Sequence, residues 1–288
     1  MQVIVVGLIA GSIYALIAAG ITLVYKSSRV LNFAQAEIGT LSLYATWWIS
    51  GEHGQPWIVG ALAAIAISIA IGLIFERIII RPMMTAPRVT VAVATIGLFT
   101  FLIALEAVWF AGSIKILPKP LNRGGFEVAG VFVSPSQELS LVVVAVVALG
   151  LAAYLRYTRF GLAVMASADD PVAAQLMGVP RARVSAFTWG TAGALSALAV
   201  LLIQPTVGAL APGAFSGLFI GGLTAALVGG LSSLPGAFVG GLLVGVLEAE
   251  AKAHLVTTAL PGVQSVAMLA IVLAVLLLRP QGLLGRTA

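Results

Sequence analysis

Three polar side chains interrupt the apolar stretch Leu31–Ser50, and they are Asn32, Gln35 and Glu37. A charge at the middle of a bilayer costs about 2.5–3.5 kcal/mol on insertion scales, so such a side chain is expected to face the interior of a helix bundle. Polar groups placed in this way can line a path for a polar solute. The alternative is that residues 31–37 lie at the membrane interface and that Glu37 pairs with a nearby arginine.

A second candidate lies in the long loop 156–183. Asp170 is a good helix N-cap, Pro171 suits the first helical position, and Gly178 suits the residue just past a helix C-terminus. These signals predict a short capped helix over residues 172–177. The residues alone leave two interpretations open, a docking element for a partner protein or an ordinary amphipathic connector lying on the membrane.

Glycines are concentrated near the end of the chain, and several are spaced four residues apart. This spacing usually allows close helix packing, and the alternative is a discontinuous helix whose free backbone groups meet a substrate. The glycines between positions 208 and 245 are Gly208, Gly213, Gly217, Gly221, Gly222, Gly229, Gly230, Gly236, Gly240, Gly241 and Gly245.

Catalytic chemistry has little support in the sequence. There is no cysteine, which excludes disulfides, zinc–thiolate sites and a cysteine nucleophile. His53 and His254 are far apart, and no Gly-Lys-Ser/Thr phosphate-binding motif is present. We therefore predict no cofactor, no metal and no ATPase site, and active transport would require another subunit to supply the energy.

The composition indicates a membrane protein. Of 288 residues, 60% are hydrophobic and only 9% are charged, whereas soluble domains carry about 25% charged residues. The net charge of +5 comes from basic residues spread between apolar stretches rather than clustered on one face, so we expect lipid as a partner and no nucleic acid.

Nine apolar stretches do not alternate with polar residues, which favours helices over barrel strands. The eighth is short, and the turn Ser232–Pro235 separates it from the seventh, so this pair could be two spans or a partly re-entrant hairpin. The predicted fold is an all-α polytopic membrane protein of about eight helices (seven to nine) in a single domain, 1–288, without a convincing internal repeat. The stretches are Val3–Tyr25, Leu31–Ser50, Trp57–Phe75, Val89–Ala111, Leu139–Leu155, Val184–Ile203, Pro212–Leu231, Gly236–Leu247 and Gln264–Leu278.

The charges of the loops predict the orientation. With the N-terminus outside and nine crossings, the inner side holds eleven Lys and Arg residues and the outer side holds four, as the positive-inside rule requires. Trp47, Trp48, Trp57 and Trp109 then fall at outer span ends. We therefore expect the N-terminus outside, the C-terminus inside, an external loop Gly112–Glu138 with room for a short hairpin, and Glu106 exposed at the outer interface.

Taken together in order, several motifs resemble the permease subunits of bacterial ABC importers for branched-chain amino acids, of the LivH type. The likeness covers nearly the whole chain. Ala36 and Ser232 depart from the pattern, because the family usually has glycine at both positions. The motifs are Leu31–Glu37, Phe75–Arg77 with Arg81 and Pro82, Ala94–Gly97, Ala166–Pro171 with Ala173, Ala174, Met177 and Gly178, Gly229–Ala237, and Arg279–Leu283.

The resemblance implies a bacterial inner-membrane complex with two cytosolic ATP-binding subunits, a homologous second permease and an extracytoplasmic substrate-binding protein. It implies alternating access, and it favours docking for the loop 156–183. The ATPase-coupling residues would be Asp169, Asp170, Pro171, Ala173, Ala174, Gln175, Leu176, Met177 and Gly178. The translocation pathway would include Asn32, Gln35, Glu37, Thr95, Gly97, Gly229 and Gly230.

The identity of the cargo stays open at this point. The same architecture could carry urea, short amides or another small polar solute. A secondary transporter would need a mid-membrane ion site and repeated halves, and a membrane enzyme would need clustered titratable groups at one depth. The sequence shows none of these patterns.

Overall fold

The computed structural model describes residues 2–110, 113–120, 124–128, 131–255, 266, 270, 273–275, 277, 279 and 282–284. Within them the regular secondary structure is helical apart from four short strands. The helices are α1 (Gln2–Ser28), α2 (Gln35–Thr46), α3 (Trp57–Phe75), α4 (Arg88–Trp109), α5 (Pro135–Tyr157), α6 (Arg159–Asp169), α7 (Pro171–Leu176), α8 (Arg181–Val207), α9 (Gly217–Gly229) and α10 (Leu234–Leu255). The strands are β1 (Lys115–Ile116), β2 (Phe126–Val128), β3 (Val131–Val133) and β4 (Ala209–Leu210).

Six of the described helices are long and apolar enough to cross a membrane, which confirms the all-α polytopic fold class. They are α1, α3 with the π-helical turn Glu76–Ile80 that continues it, α4, α5, α8 and α10 up to His254. The ninth predicted stretch, Gln264–Leu278, lies mostly outside the described residues. Its described members, at positions 266, 270, 273–275 and 277, are helical.

Two predicted spans are discontinuous instead. The chain from Arg29 to Ala34 is not helical, so the second stretch contains only α2 and the π-helical turn Trp47–Glu52. The seventh stretch contains only the 13 residues of α9, about 20 Å at 1.5 Å per residue, whereas the hydrocarbon core is about 30 Å thick. Neither short helix is long enough to cross the hydrocarbon core alone.

The prediction that the eighth stretch is short is wrong. Helix α10 has 22 residues and runs past Leu247 to Leu255. The apolar pattern ends at Glu248, but this side chain is only 2% exposed and its Oε1 lies 2.7 Å from Nζ of Lys252. The ion pair one turn apart allows the helix to continue through polar residues.

The first three helices and the last three follow the same plan. Helices α1 and α8 each have 27 residues, and each is followed by a non-helical segment, a short helix and a long helix. The two long helices run antiparallel, because Ser27 near the end of α1 hydrogen-bonds Thr188 near the start of α8 at 2.8 Å. Helix α2 packs on α8 while α9 packs on α1, and α3 packs on α8 while α10 packs on α1. The expectation of no internal repeat therefore fails at the level of helix arrangement.

Close helix packing explains most of the predicted glycine spacing. A Cβ on Gly241 would lie 2.6 Å from Cα of Ala15, and one on Gly245 would collide with Gly11, so α10 lies directly against α1. Gly236 and Gly240 face backbone atoms of α9 in the same way. Such glycines let two backbones approach closely where lipid provides little hydrophobic drive.

The two ends of the bundle differ. At one end, called the hairpin end below, β2 and β3 form a hairpin and β1 pairs antiparallel with β4, which confirms the hairpin expected within Gly112–Glu138. At the other end, called the α7 end, α6 and α7 project from the bundle. There the backbone N–H groups of Leu283 and Leu284 donate to the carbonyl groups of Val228 and Gly229 at 2.8 and 3.1 Å.

Candidate functional site

The non-helical segment before α2 is held by side chains from two other helices. The Nε2 atom of Gln35 donates to the carbonyl of Ala192 on α8 at 2.7 Å. The hydroxyl of Thr95 on α4 donates to the carbonyl of Leu31 at 3.1 Å. Asn32 donates to the Gln35 side chain at 3.1 Å, and all three of these polar side chains are fully buried. The segment is therefore fixed without a helix.

Ser196 on α8 holds the next turn. Its hydroxyl donates to the carbonyl of Gln35 and accepts a hydrogen bond from the backbone N–H of Gly39 at 3.1 Å. A Cβ on Gly39 would lie 2.6 Å from the Ser196 carbonyl oxygen. The start of α2 is therefore in direct backbone contact with α8.

Two carboxyl groups lie beside the start of α9. The hydroxyl of Ser216 donates to Oε2 of Glu37 at 2.8 Å, and the backbone N–H of Gly213 donates to Oε2 of Glu106 at 3.2 Å. Both glutamates are 0% exposed, and their side chains interact directly with each other. Since two facing carboxylates repel, this arrangement needs a proton or a cation between them.

The structure contradicts the arginine pairing that the sequence left open for Glu37 and the exposure expected of Glu106. Glu37 has no arginine partner among the described residues, since its contacts are Ser216 and Glu106. Glu106 is buried rather than exposed at an interface, because Gly213, in the segment before α9, lies over its carboxyl group.

Tyr44 completes this group. Its ring stacks on Phe110 with centroids 3.8 Å apart, and Glu106 and Glu37 are the acidic groups in its surroundings. The tyrosine is 2% exposed, and its hydroxyl has no hydrogen-bond partner within the described part of the chain. Glu37, Tyr44, Glu106, Gly213 and Ser216 together are called the carboxyl cluster below.

The structure brings together three of the seven predicted pathway residues, namely Asn32, Gln35 and Thr95, whereas Glu37 belongs to the carboxyl cluster. Gly97 lies apart, on an exposed face of α4 along an apolar groove of about 870 Å³ between α2, α3 and α4. Gly229 and Gly230 lie at the far end of α9, at the turn into α10.

Sequence reasoning missed Tyr44, Ser196, Gly213 and Ser216 as members of this site. Glu106 was noticed but placed at the interface. An acidic residue inside an apolar stretch was a usable signal for Glu106, whereas the other positions carry no comparable signal because serine, glycine and tyrosine are common in membrane helices.

The predicted short helix is confirmed as α7. The Asp170 carboxylate accepts hydrogen bonds from the backbone N–H groups of Val172 and Ala173 at 2.9 and 3.0 Å, and Gly178 has a positive φ of 84°. Val172, Leu176 and Met177 are 68%, 84% and 85% exposed. The helix thus presents a rigidly capped apolar tip.

The rest of the predicted coupling segment divides between exposed and buried positions. Asp169, Ala173 and Gln175 are exposed, Pro171 is half-buried, and Ala174 is buried at 5% exposure. Arg29 ties the segment to the bundle, because its Nη2 atom donates to the carbonyl of Ala168 on α6 at 2.9 Å.

Among the residues that the structure describes, no cluster of three or more His, Cys, Asp or Glu side chains could hold a metal ion.

Comparison with known proteins identifies the family. Residues 3–278 match the family model described as the permease component of branched-chain amino acid transport systems. The chain belongs to this permease family. The family expected from the sequence motifs is thereby confirmed, and with it a multi-pass protein of the inner membrane.

Individual relatives agree with this assignment. The chain is 32% identical to the high-affinity branched-chain amino acid transport system permease protein LivH of Salmonella typhimurium, over 97% of this chain and 94% of LivH. It is 33% identical to the permease protein BraD of Pseudomonas aeruginosa, over 99% and 96% of the two chains. A probable LivH of Methanocaldococcus jannaschii is 28% identical over 96% and 90%.

Proposed function

We propose that this permease is the membrane-spanning subunit of an ABC importer for branched-chain amino acids, in which separate cytosolic ATPases drive alternating access. The observation that carries the proposal is the exposed apolar tip of α7 on a chain without a nucleotide-binding motif. Apolar side chains that project from the end of the bundle indicate a protein-binding surface.

The structure of α7 suits a part that transmits force. Asp170 caps its start, and the backbone N–H of Ala174 bonds back to the Asp170 carbonyl at 3.0 Å. Arg29 links α6 to the end of α1, and Arg181 starts α8 five residues after Leu176. A push on α7 would therefore reach the two longest helices of the bundle directly.

The α7 end is the cytosolic side in this proposal. The loops at that end carry most of the basic residues, and the positive-inside rule favours this orientation. It places the N-terminus outside and leaves the hairpin end for the extracytoplasmic binding protein. A homologous second permease and two ATP-binding subunits complete the complex.

The translocation pathway in this proposal passes beside the two non-helical segments. Residues 29–34 and 208–216 precede the short helices α2 and α9, and the Ser216–Glu37 hydrogen bond joins them at the carboxyl cluster. In membrane transporters, breaks of this kind leave backbone groups free to meet a solute inside the bundle.

The test uses the complete complex in proteoliposomes, assembled with its ATPases, second permease and binding protein. Leu176→Glu is expected to abolish leucine uptake and the ATPase activity stimulated by the loaded binding protein, because a charge replaces the apolar tip. Leu176→Met, which preserves volume and polarity class, is the matched control and is expected to retain both activities.

Three results would contradict the proposal. The first is full coupling in Leu176→Glu. The second is uphill solute movement by the purified chain without any ATPase, which would indicate a secondary transporter. The third is uptake of urea or a short amide that leucine, isoleucine and valine do not compete with, which would keep the architecture and change the cargo.

A further inference from the structure

A small cavity of about 220 Å³ lies at the α7 end, apart from the carboxyl cluster. The end of α1, the turn that precedes α4, the first residue of α7 and the start of α8 form its walls. The residues that matter for the argument are Arg29, Arg88, Pro171, Arg181 and Ser185.

The three arginines give the cavity a strong positive charge. Within the described residues, arginine forms an ion pair only at Arg81, with Glu76, so Arg29, Arg88 and Arg181 have no carboxylate partner there. Arg29 has a positive φ of 56°, which is uncommon for a residue other than glycine. Its guanidinium is held by the Ala168 carbonyl at 2.9 Å.

Two long helices also begin at this cavity. Helix α4 starts at Arg88 after Pro87, and helix α8 starts at Arg181 after Pro180. Proline has no side-chain acceptor, and neither start has a side-chain cap. The positive ends of both helix dipoles therefore favour an anion at this place.

Ser185 is an independent sign of a missing ligand. Ser185 lines the cavity and is only 4% exposed. Its hydroxyl has no hydrogen-bond partner within the described part of the chain. A buried hydroxyl without a partner is costly and rare. Rotation of the Ser185 side chain about its Cα–Cβ bond would bring this hydroxyl to an anion in the cavity.

We propose that this cavity binds a phosphate group, supplied by the headgroup of an anionic phospholipid in the adjacent leaflet. Arginines and the starts of two helices line the cavity from three sides, and the phosphodiester of a phospholipid headgroup accepts hydrogen bonds at its two anionic oxygens and more weakly at its ester oxygens. Arginine suits phosphate because its planar fork of donors matches the oxygens. The position at the ends of α1, α4 and α8 is where headgroups lie. Soluble phosphate shares this chemistry.

The occupied site would also reach α7. Pro171 lines the cavity, so a bound headgroup would touch the first residue of α7 together with the starts of α4 and α8. The lipid would then hold the apolar tip of α7 in one position relative to the bundle.

Native mass spectrometry of the purified full chain tests the site. The chain is exchanged into detergent with phosphatidylglycerol, with phosphatidylcholine, or with inorganic phosphate alone. Phosphatidylglycerol is expected to remain bound to the unmodified chain, and phosphatidylcholine is not. The double variant Arg88→Gln, Arg181→Gln should bind about a hundredfold or more weakly, since each of the two charge-assisted hydrogen bonds contributes about tenfold or more. Ser185→Ala should bind roughly fivefold more weakly.

Arg183→Gln is the matched control, because Arg183 is an exposed arginine in the same first turn of α8 and does not line the cavity. Equal lipid retention in the pocket variants and the control would overturn the proposal. Pocket variants that keep the lipid but lose co-purifying ATPase would overturn it too, because the cavity would then receive an acidic side chain. Binding of inorganic phosphate alone, lost in the pocket variants, would support a phosphate site with a soluble source.

Discussion

The carboxyl groups of Glu37 on α2 and Glu106 on α4 face each other inside the bundle, below the segment that leads into α9. Each is anchored by one hydrogen bond from that segment, at 2.8 Å from Ser216 and 3.2 Å from Gly213. The Oε1 atom of each carboxyl group receives no N–H or O–H donor within the described residues. The two glutamates therefore join α2, α4 and the segment before α9. The strength of this junction depends on whether a proton or a cation lies between the two carboxyl groups.

Two replacements of Glu106 test how much its hydrogen bonds contribute to the stability of the bundle. In Glu106→Gln the amide can donate to Glu37 and still accept from Gly213, so we expect unchanged or higher stability in detergent unfolding. Glu106→Leu leaves the Gly213 N–H without its acceptor and should lower the unfolding free energy by roughly 1–3 kcal/mol. Equal stability of the two variants would show that the carboxyl cluster does not hold this part of the bundle.

Replacement by alanine should have opposite effects on stability at two glycines, because one lies in the contact between α1 and α10 and the other lies on an open face of α5. Gly241→Ala places a methyl group 2.6 Å from Cα of Ala15 and should destabilise the bundle by about 1–3 kcal/mol, the usual cost of overpacking. Gly150→Ala on α5 meets no atom within 4 Å and should be neutral or stabilising, because alanine is the better helix former. Thermal unfolding of both variants checks the sign of each change.

Of the two adjacent aspartates before α7, only Asp170 caps the helix. Asp170→Ala removes the acceptor for two backbone N–H groups, and it should weaken the helix by about 0.5–2 kcal/mol and reduce substrate-stimulated ATPase activity of the complex. Asp169→Ala, at an exposed neighbour outside the cap, should leave the stability of the helix unchanged. Hydrogen exchange of the α7 amides measures the first effect. Similar hydrogen exchange in both variants would show that the Asp170 cap does not stabilise α7.

The proposed orientation can be tested directly because the chain contains no cysteine. Leu176→Cys on α7 should react with a membrane-impermeant thiol reagent only from the cytosolic side of inverted vesicles. Ser113→Cys near the hairpin end should react only from the opposite side of right-side-out vesicles. Labelling of both positions from one face would refute the orientation.

The sequence was most informative where the interactions are local. Asp170, Pro171 and Gly178 lie at the two ends of α7, so their types and spacing were enough to predict the helix to within one residue at each end. The polar group Asn32, Gln35 and Glu37 was noticed because lipid makes any polar side chain in an apolar stretch conspicuous, but its burial was only one of two interpretations that the sequence left open.

Long-range partners could not be predicted in this way. Ser216 reaches Glu37, and Ser196 reaches Gln35, across most of the chain, and nothing in their own neighbourhoods indicates either contact. The length of α10 was misjudged for a similar reason, since hydropathy counts Glu248 and Lys252 as two charges although they form one ion pair within the helix.

The order in which the helices are made has a consequence for membrane insertion. Helix α1 is the first described helix to leave the ribosome, yet 72% of an 18-residue apolar window within it is buried, mainly by α8, α9 and α10, which are synthesised much later. Its surface at Gly7 and Gly11 must therefore remain against lipid or a chaperone until Gly241 and Gly245 have been synthesised. A nascent chain released before that point would display an unfilled groove along its first helix, and such truncated products should be ready substrates for membrane quality-control proteases.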